Sequence, residues 1–295
     1  MHLQNVNELY KKLLRHEINT DEDLHEFINV IAQNTSTCIS CFKSMKVRKK
    51  EKNKTILRCN FCNSTKRIYN LRSKFSNAIS LKSHFYFIIY FIKDLCQETI
   101  SEFLGISIST VSRYFLKLQK LIHDFTSNNP IKIGGSGKIV QIDECFFGKR
   151  KYNRGRLANE QIVLGGIDVE SKNFFITIIP NRKKETIGYN IEKYVNEKSI
   201  IHTDKHTSYI YYFAENSNKY YHDWVNHSEN FVDPETYVHT QNIENLWLLL
   251  KKFKRRKGYS KSRYLKLYLA EFDLKRRFYR EESRLFEFLI NLTFI

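Results

Sequence analysis

The chain has 295 residues, which is enough for a catalytic domain of ordinary size and one or two smaller modules. Its 49 Lys and Arg against 31 Asp and Glu give a formal net charge of +18, which attracts polyanions and favours nucleic acid over an anionic membrane surface as partner. The sequence contains neither the roughly 20 consecutive apolar residues of a membrane span nor a signal peptide, which argues against a membrane or secreted protein.

The expected location is therefore inside the cell, in the nucleus if the source is eukaryotic and otherwise in the cytoplasm or nucleoid. Thiols stay reduced there, so the cysteines are better explained by metal than by disulfides. The first 34 residues predict a helical lead-in, because Leu9, Leu13 and Leu14 are spaced for one helical face. The apolar run Phe85–Ile92 is too short to span a membrane and predicts a buried helix.

Four cysteines between residues 35 and 70 form two Cys-x2-Cys pairs. Cys38 with Cys41 and Cys59 with Cys62 are separated by 17 residues, a spacing that suits a tetrahedral zinc site of the ribbon type. Four thiolates leave no open position for a substrate, so we expect Zn²⁺ to be structural. The alternative is four buried or disulfide-bonded cysteines. The many Lys and Arg residues around the predicted zinc ribbon favour contact with nucleic acid.

Residues 77–127 have helical periodicity and contain a candidate helix-turn-helix in the segment QETISEFLGISISTVSRY. Gly105 lies where the two helices would meet, and glycine tolerates the positive φ angle of a tight turn. Ser107 or Ser109 can cap the second helix. The N-terminal face of that helix enters the major groove in this motif, and it would present Ser109, Thr110, Ser112 and Arg113. Two packed core helices without a role in DNA binding are the alternative.

A break at residues 128–137, which contain Pro130 and clustered glycines, separates this module from a main domain at 138–290. The β-prone runs KIVQIDECFF, QIVLGGIDV and NFFITIIP follow, then a helical segment at 183–197 and the run SIIHTD. From about residue 240 onward the spacing is helical. This order predicts an α/β fold in which helices cover a mixed sheet.

Two of these strands carry an aspartate in an apolar context, namely Asp143 in KIVQIDECFF and Asp204 at the end of SIIHTD. A buried carboxylate is unfavourable unless it is paired, protonated or bound to metal. In HTQNIENLWLLLKK, Glu244 lies at the edge of an apolar helical face and can approach both aspartates. Three oxygen ligands suit Mg²⁺ or Mn²⁺, and two such ions can support in-line attack on phosphorus.

Each acid alone also has an ordinary explanation. Asp143 can be a strand-end turn residue, Asp204 a helix N-cap and Glu244 a helix surface residue. The order Asp, Asp, Glu on strand, strand and helix favours the metal site over these three separate explanations.

The segments IDECFFGKRKYNRGR, IHTDKHTSY, VNHS and HTQNIENLWLLLKK together resemble the signatures of Merlin-type DDE transposases and the related bacterial ISXO-like insertion-sequence transposases. The resemblance runs from about residue 35 to 280. It implies a ribonuclease-H-like catalytic domain preceded by zinc ribbon and helix-turn-helix modules. It also implies double-stranded DNA, both transposon ends and target, as the substrate, and a homodimer or larger oligomer. Asp143, Asp204 and Glu244 fall on the family's catalytic, metal-binding positions.

Gln241 departs from the pattern, because many bacterial relatives carry Asn three residues before the Glu. Glu is the stronger ligand, but the resemblance leaves open whether Gln241 or Glu244 completes the metal site. The histidines around these motifs are more simply explained as hydrogen-bonded structural residues than as ligands. They are His202, His206, His227 and His239, of which His239 is the best candidate for an accessory role.

Two basic stretches, GKRKYNRGR at 148–156 and KKFKRRK at 251–257, directly follow two of the acidic elements. Positive charge on either side of an acidic centre would hold DNA phosphates there. The predicted DNA contacts are Lys149, Arg150, Lys251, Lys252, Arg255 and Arg256. Of these, Lys251 also matches a basic family position beyond the Glu.

Three hypotheses follow from the sequence. The first is a cut-and-paste transposase that cleaves at terminal inverted repeats and joins the ends to target DNA. The second is a domesticated, non-catalytic DNA-binding or regulatory protein derived from a transposase. The third is another ribonuclease-H-like nuclease, which would cut DNA without joining it.

Overall fold

The computed structural model describes residues 2–18, 24, 45–51, 54–69, 79–149, 158–225, 239–257 and 264–294. The chain divides into two compact units, one formed by Met1–Ile122 with Phe278–Ile295 and the other by His123–Arg277. Within the described ranges, no helix combines the length and apolar character that crossing a membrane requires.

The first unit begins with helix α1 (His2–Leu14) and a three-stranded antiparallel sheet, β1 (Met45–Glu51), β2 (Lys54–Cys59) and β3 (Thr65–Tyr69), in the order β1-β2-β3. The predicted cysteine pair Cys59 and Cys62 falls on the turn between β2 and β3. Asn63 donates its backbone N–H to the Cys59 carbonyl, and Cys59 donates its own to Ser64. The other predicted pair, Cys38 and Cys41, lies outside the described residues. The zinc ribbon therefore stays a prediction.

Three helices follow, α2 (Leu81–Ile92), α3 (Gln97–Leu104) and α4 (Ile108–Asn128). Helix α2 contains the predicted buried run, and its Phe85, Phe87 and Phe91 are fully buried. Gly105 ends α3 in the left-handed conformation with φ 61°, so that α4 begins after a short turn. Both helices of the predicted helix-turn-helix are present, while its contact with DNA stays a prediction.

The last helix, α9 (Glu282–Phe294), belongs to the first unit, although the sequence reading included most of it in the catalytic domain 138–290. Its Phe286 ring packs against Phe85 at 5.8 Å between centroids. Glu282 accepts hydrogen bonds from the Tyr10 hydroxyl at 2.9 Å and from Lys93 Nζ at 2.6 Å. Apolar packing and this ion pair hold α9 to α1 and α2, and periodicity in one segment does not reveal such partners.

The second unit is built on a five-stranded sheet in the order β10-β9-β5-β6-β7, among the strands that the structure describes. Its strands are β5 (Ile139–Lys149), β6 (Ala158–Asp168), β7 (Phe174–Ile179), β9 (Ile200–Asp204) and β10 (Tyr221–Val225). Strands β5, β6 and β7 are antiparallel neighbours, whereas β9 pairs in parallel with both β5 and β10. A short parallel pair, β4 (Ile133–Gly134) with β8 (Val195–Asn196), lies apart from this sheet. The sequence did not predict β10, whose largely exposed segment YHDWV lacks an apolar run.

Helices cover both faces of this sheet. On one face, α5 (Lys184–Tyr194) and α6 (Thr207–Glu215) pack against a core that includes Val140, Ile142 and Ile201. On the other face, α7 (Gln241–Arg256) and α8 (Leu265–Arg277) pack against a core that includes Val163 and Ile167. The structure confirms the predicted mixed α/β architecture. It shortens the predicted helix 183–197, because the chain turns into β8 at Val195.

Candidate active site

The predicted aspartates meet where β5 and β9 separate. The two strands pair in parallel as far as Gln141 with His202, and Asp143 and Asp204 come just after this last pair. Asp143, Asp204 and the intervening Glu144 each offer a carboxylate oxygen, and these three atoms lie within 4.8 Å of one another. The end of the paired segment therefore delivers both aspartates from distant parts of the sequence to one point, as the strand pattern predicted.

Asp143 is held by the helix that carries Glu244. Trp247 Nε1 on α7 donates a hydrogen bond to Asp143 Oδ2 at 3.0 Å. Gly165 pairs with Asp143 across β5 and β6, and a Cβ atom at this glycine would collide with the Trp247 ring. The pKa of Asp143 is raised to about 7, mainly by burial. The negative charges of Glu144 and Asp204 also raise this pKa, whereas hydrogen bonds from the Glu144 backbone and from Trp247 lower it. The site thus contains a half-buried carboxyl group next to two other carboxylates.

Glu144, which the sequence reading missed as a site residue, has an ion-pair partner. Its side chain is 1% exposed, and its two oxygens accept hydrogen bonds from Arg182 Nη2 at 2.8 Å and from the Tyr209 hydroxyl at 2.8 Å. The same Arg182 nitrogen lies 3.7 Å from Asp204 Oδ2. Both oxygens of Glu144 therefore already have side-chain donors. The signal in the sequence was a second acid directly after Asp143.

Glu244 lies in the first turn of α7 and is exposed. It lines a cavity of about 430 Å³ together with Asp143, Phe146 and Lys251. Its Oε1 accepts a hydrogen bond from the Thr240 hydroxyl at 2.9 Å. Among the described residues, Glu244 is outside the group of carboxylates whose oxygens lie within 4.8 Å. Glu244 therefore lines the same cavity as Asp143, but its carboxylate is not within 4.8 Å of both aspartates.

The alternative ligand Gln241 is exposed at the start of α7 and does not line this cavity. His239 Nδ1 is 3.3 Å from Gln141 Nε2, and His206 is the N-cap of α6, where its Nδ1 accepts the N–H of Ser208. Burial lowers the pKa of His202. His202 Nδ1 is buried without a hydrogen-bond partner among the described residues, and His227 lies outside them.

The predicted DNA contacts fall on two surfaces. On α4, Ser109, Ser112 and Arg113 are exposed and Thr110 is half-buried, while the Ser107 hydroxyl accepts the N–H of Thr110 at 3.3 Å and so caps the helix. On α7, the exposed residues are Lys251, Lys252, Arg255 and Arg256, of which Lys251 lines the acidic cavity. Lys149 ends β5, but its side chain and Arg150 lie outside the described part of the chain.

Comparison with solved structures returns retroviral integrase cores at low similarity. The catalytic core domain of BIV integrase is 15% identical, with a TM-score of 0.34, and the match covers 51% of this chain and 97% of that one. The HTLV-2 integrase catalytic core domain in complex with magnesium is 14% identical, with a TM-score of 0.32, over 47% of this chain and 85% of that one.

Sequence comparison gives the family. No curated protein matches the chain. Residues 134–276 match the family model described as the ISXO2-like transposase domain, a range that contains Asp143, Asp204 and Glu244 together with the whole five-stranded sheet. The predicted resemblance to ISXO-like transposases is thereby confirmed. Residues 134–276, which include most of the mixed α/β domain, are therefore similar to an ISXO2-like transposase domain.

Proposed function

We propose that this protein is an active DDE transposase, which cleaves DNA at terminal inverted repeats and transfers the freed 3′ ends to target DNA. The observation that carries the proposal is the convergence of Asp143 and Asp204 at the point where β5 and β9 separate, inside a transposase-family domain. Glu244 on the same cavity completes the proposed catalytic set.

The residues at this point fit a divalent cation. Asp143 is a half-buried acid whose pKa is raised mainly by desolvation and also by the charges of Glu144 and Asp204, and Arg182 is already engaged by Glu144. Carboxylate oxygens are the donors that Mg²⁺ and Mn²⁺ prefer. We propose Asp143, Asp204 and Glu244 as the residues that hold one or two such ions. When bound, the metal supplies the positive charge that phosphoryl transfer requires.

The remaining side chains of the site have separate parts in this proposal. Trp247 fixes the orientation of the Asp143 carboxylate through its hydrogen bond. Lys251 lines the acidic cavity and, with the exposed Arg255 beyond it on α7, presents positive charge that would hold the phosphates of a DNA strand at the carboxylates.

We further propose that the first unit recognises the transposon ends. The exposed N-terminal turn of α4, with Ser109 and Arg113, would read the major groove, while Cys59 and Cys62 would hold structural Zn²⁺ with Cys38 and Cys41. Because two DNA ends must be processed together, we propose a homodimer or larger oligomer.

An assay of strand cleavage and joining tests the main proposal. The purified protein is incubated with labelled DNA from the inverted repeats that flank its coding sequence, with Mg²⁺, Mn²⁺ or a chelator. We expect cleaved ends and joined products that depend on the metal. Specific binding without cleavage would instead support a domesticated DNA-binding protein. Metal-dependent cutting without joining would support another nuclease.

Removal of the proposed zinc ligand Cys59 is expected to lower the zinc content and weaken the binding of transposon ends. Elemental analysis should give about one Zn²⁺ per chain for the wild-type protein and less than that for Cys59→Ser, because serine is a poor zinc ligand. Arg113→Ala should weaken end binding without any loss of zinc. Cys96→Ser is the matched control, since Cys96 is exposed and outside the four-cysteine set. A wild-type protein purified without zinc would contradict the ribbon.

A further inference from the structure

Gln141 is a buried amide whose hydrogen bonds join the catalytic strand to the helix that carries Glu244. The residue is 1% exposed and lies at the end of the β5 segment that pairs with β9. Its Oε1 accepts the backbone N–H groups of Asn242 at 2.9 Å and of Ile243 at 3.3 Å. Both amides belong to the first turn of α7, where N–H groups have no partner inside the helix. A side chain from the sheet thus caps this helix.

Thr240 is consequently available for a different contact. It occupies the N-cap position of α7, where a threonine hydroxyl ordinarily accepts an N–H from the first turn, but its side chain makes no such bond. Instead the hydroxyl donates to Glu244 Oε1 at 2.9 Å. Thr240 is 1% exposed, so surrounding groups restrict its position. Gln141 fills the capping role, and Thr240 fixes the carboxylate.

The two contacts form a short path between two of the proposed catalytic carboxylates. Gln141 and Asp143 are alternate residues of β5 and therefore point to the same face of the sheet. That face carries α7, as the bond from Trp247 to Asp143 shows. The start of α7 is tied to the strand by Gln141, and the following turns are tied to it by Trp247. Glu244 lies on α7 between the residues that bond to Gln141 and Trp247, which bonds to Asp143.

We propose that Gln141 and Thr240 are positioning residues, which set the distance and orientation of the Glu244 carboxylate relative to Asp143. This inference rests on the proposed function, since it assigns the pair to the same site. Neither residue touches the reacting atoms. A carboxylate displaced by about 1 Å can lower a rate by about 100-fold, so loss of this pair should lower turnover more than it changes DNA binding.

Variants of Gln141 distinguish the effect of its hydrogen bonds from the effect of its side-chain volume. Gln141→Met keeps the length of the side chain and removes both amide functions. Gln141→Glu keeps an oxygen that accepts the two N–H groups but loses the Nε2 donor that faces His239 Nδ1 at 3.3 Å. Gln161→Met is the matched control. Gln161 is a half-buried glutamine on the neighbouring strand β6, and its Oε1 has no hydrogen-bond partner among the residues described. Thr240→Val and Thr240→Ser test the second contact in the same way.

The measurements are kcat and KM for strand transfer, the Mn²⁺ concentration that gives half-maximal rate, and hydrogen exchange at the Asn242 and Ile243 amides. We expect Gln141→Met and Thr240→Val to lower kcat by about 10- to 100-fold, with a higher Mn²⁺ requirement and an unchanged KM for DNA. Thr240→Ser should recover most of the loss in kcat. Gln141→Glu should recover only part of it, because it restores the cap but not the Nε2 contact with His239. Gln141→Met should also speed hydrogen exchange at the Asn242 and Ile243 amides. Gln161→Met should change neither kcat nor the exchange at these amides.

Two results would overturn the inference and one would overturn the proposed function. If wild-type protein is active and Gln141→Met behaves like Gln161→Met, the positioning role is wrong. If Gln141→Met lowers kcat only in proportion to the fraction of unfolded protein, the role is merely structural. If the wild-type protein shows no metal-dependent strand transfer, the proposed function fails, and unchanged exchange at Asn242 and Ile243 would then reject the capping contact as well.

Discussion

Asp143→Asn is expected to abolish metal-dependent strand transfer and at the same time to stabilise the protein at neutral pH. The amide is a weaker ligand for Mg²⁺ or Mn²⁺ than the carboxylate, so the rate should fall by about 1,000-fold or more, the scale on which groups that stabilise the transition state act. The stability should rise because Asp143 is a half-buried, desolvated carboxyl beside Glu144 and Asp204, and the variant removes one negative charge from this group.

The pH dependence follows from the raised pKa of Asp143, which is about 7 in the folded protein. Below about pH 4 the carboxyl is protonated in both folded and unfolded chains and does not oppose folding. As the pH rises from about 4 to 7, only the unfolded chain loses the proton, so the wild-type protein loses stability in this window. Above pH 7, Asp143→Asn should therefore unfold with a free energy about 2–4 kcal/mol higher than wild type.

Denaturant unfolding without metal between pH 4 and pH 8 measures this difference. Glu244→Gln is the matched control, because Glu244 is exposed and should lose activity without a gain in stability. The same proton must leave before metal binds, so Mn²⁺ affinity should rise with pH up to about 7 in the wild-type protein. Equal stability of Asp143→Asn and wild type at pH 8 would contradict the burial argument, and full activity of the variant would contradict the metal site.

Arg182→Met is expected to destabilise the protein by about 3–5 kcal/mol, because it leaves Glu144 as a buried charge without its partner. The Glu144 side chain is 1% exposed, and Arg182 supplies the positive charge at 2.8 Å. Tyr209 still donates its hydroxyl to the same carboxylate, but a neutral donor does not replace the charge. The variant also removes the cation 3.7 Å from Asp204.

A double-mutant cycle with Glu144→Gln tests the origin of this loss. The combined variant should recover much of the stability, since a neutral amide can accept the Tyr209 hydroxyl without a cation nearby. Lys184→Met is the control, because Lys184 is the first residue of α5, two residues after Arg182, and pairs with the exposed Glu215. Thermal and denaturant unfolding provide the energies. Additive losses in the double variant would show that Glu144 and Arg182 do not stabilise the fold as a pair.

The strands that lead to the site could be predicted because each contains a local signal. Asp143 and Asp204 interrupt apolar β-prone runs, and those runs form β5 and β9. Strand β10 was missed because it is an edge strand whose residues are mostly exposed, which leaves no apolar pattern. Helix α9 was included in the wrong unit because the amphipathic pattern of a helix does not specify which surface it packs against.

Two aspartates in apolar strands, a glutamate on an amphipathic helix and a strongly basic chain can all be recognised from the amino-acid sequence alone. How these groups are held depends on contacts between distant parts of the chain. Arg182 and Tyr209 reach Glu144 across 38 and 65 residues of sequence, and Gln141 reaches the start of α7 across 101. Periodicity reports which side of an element is buried, whereas these hydrogen bonds depend on which elements become neighbours when the sheet and its helices pack together.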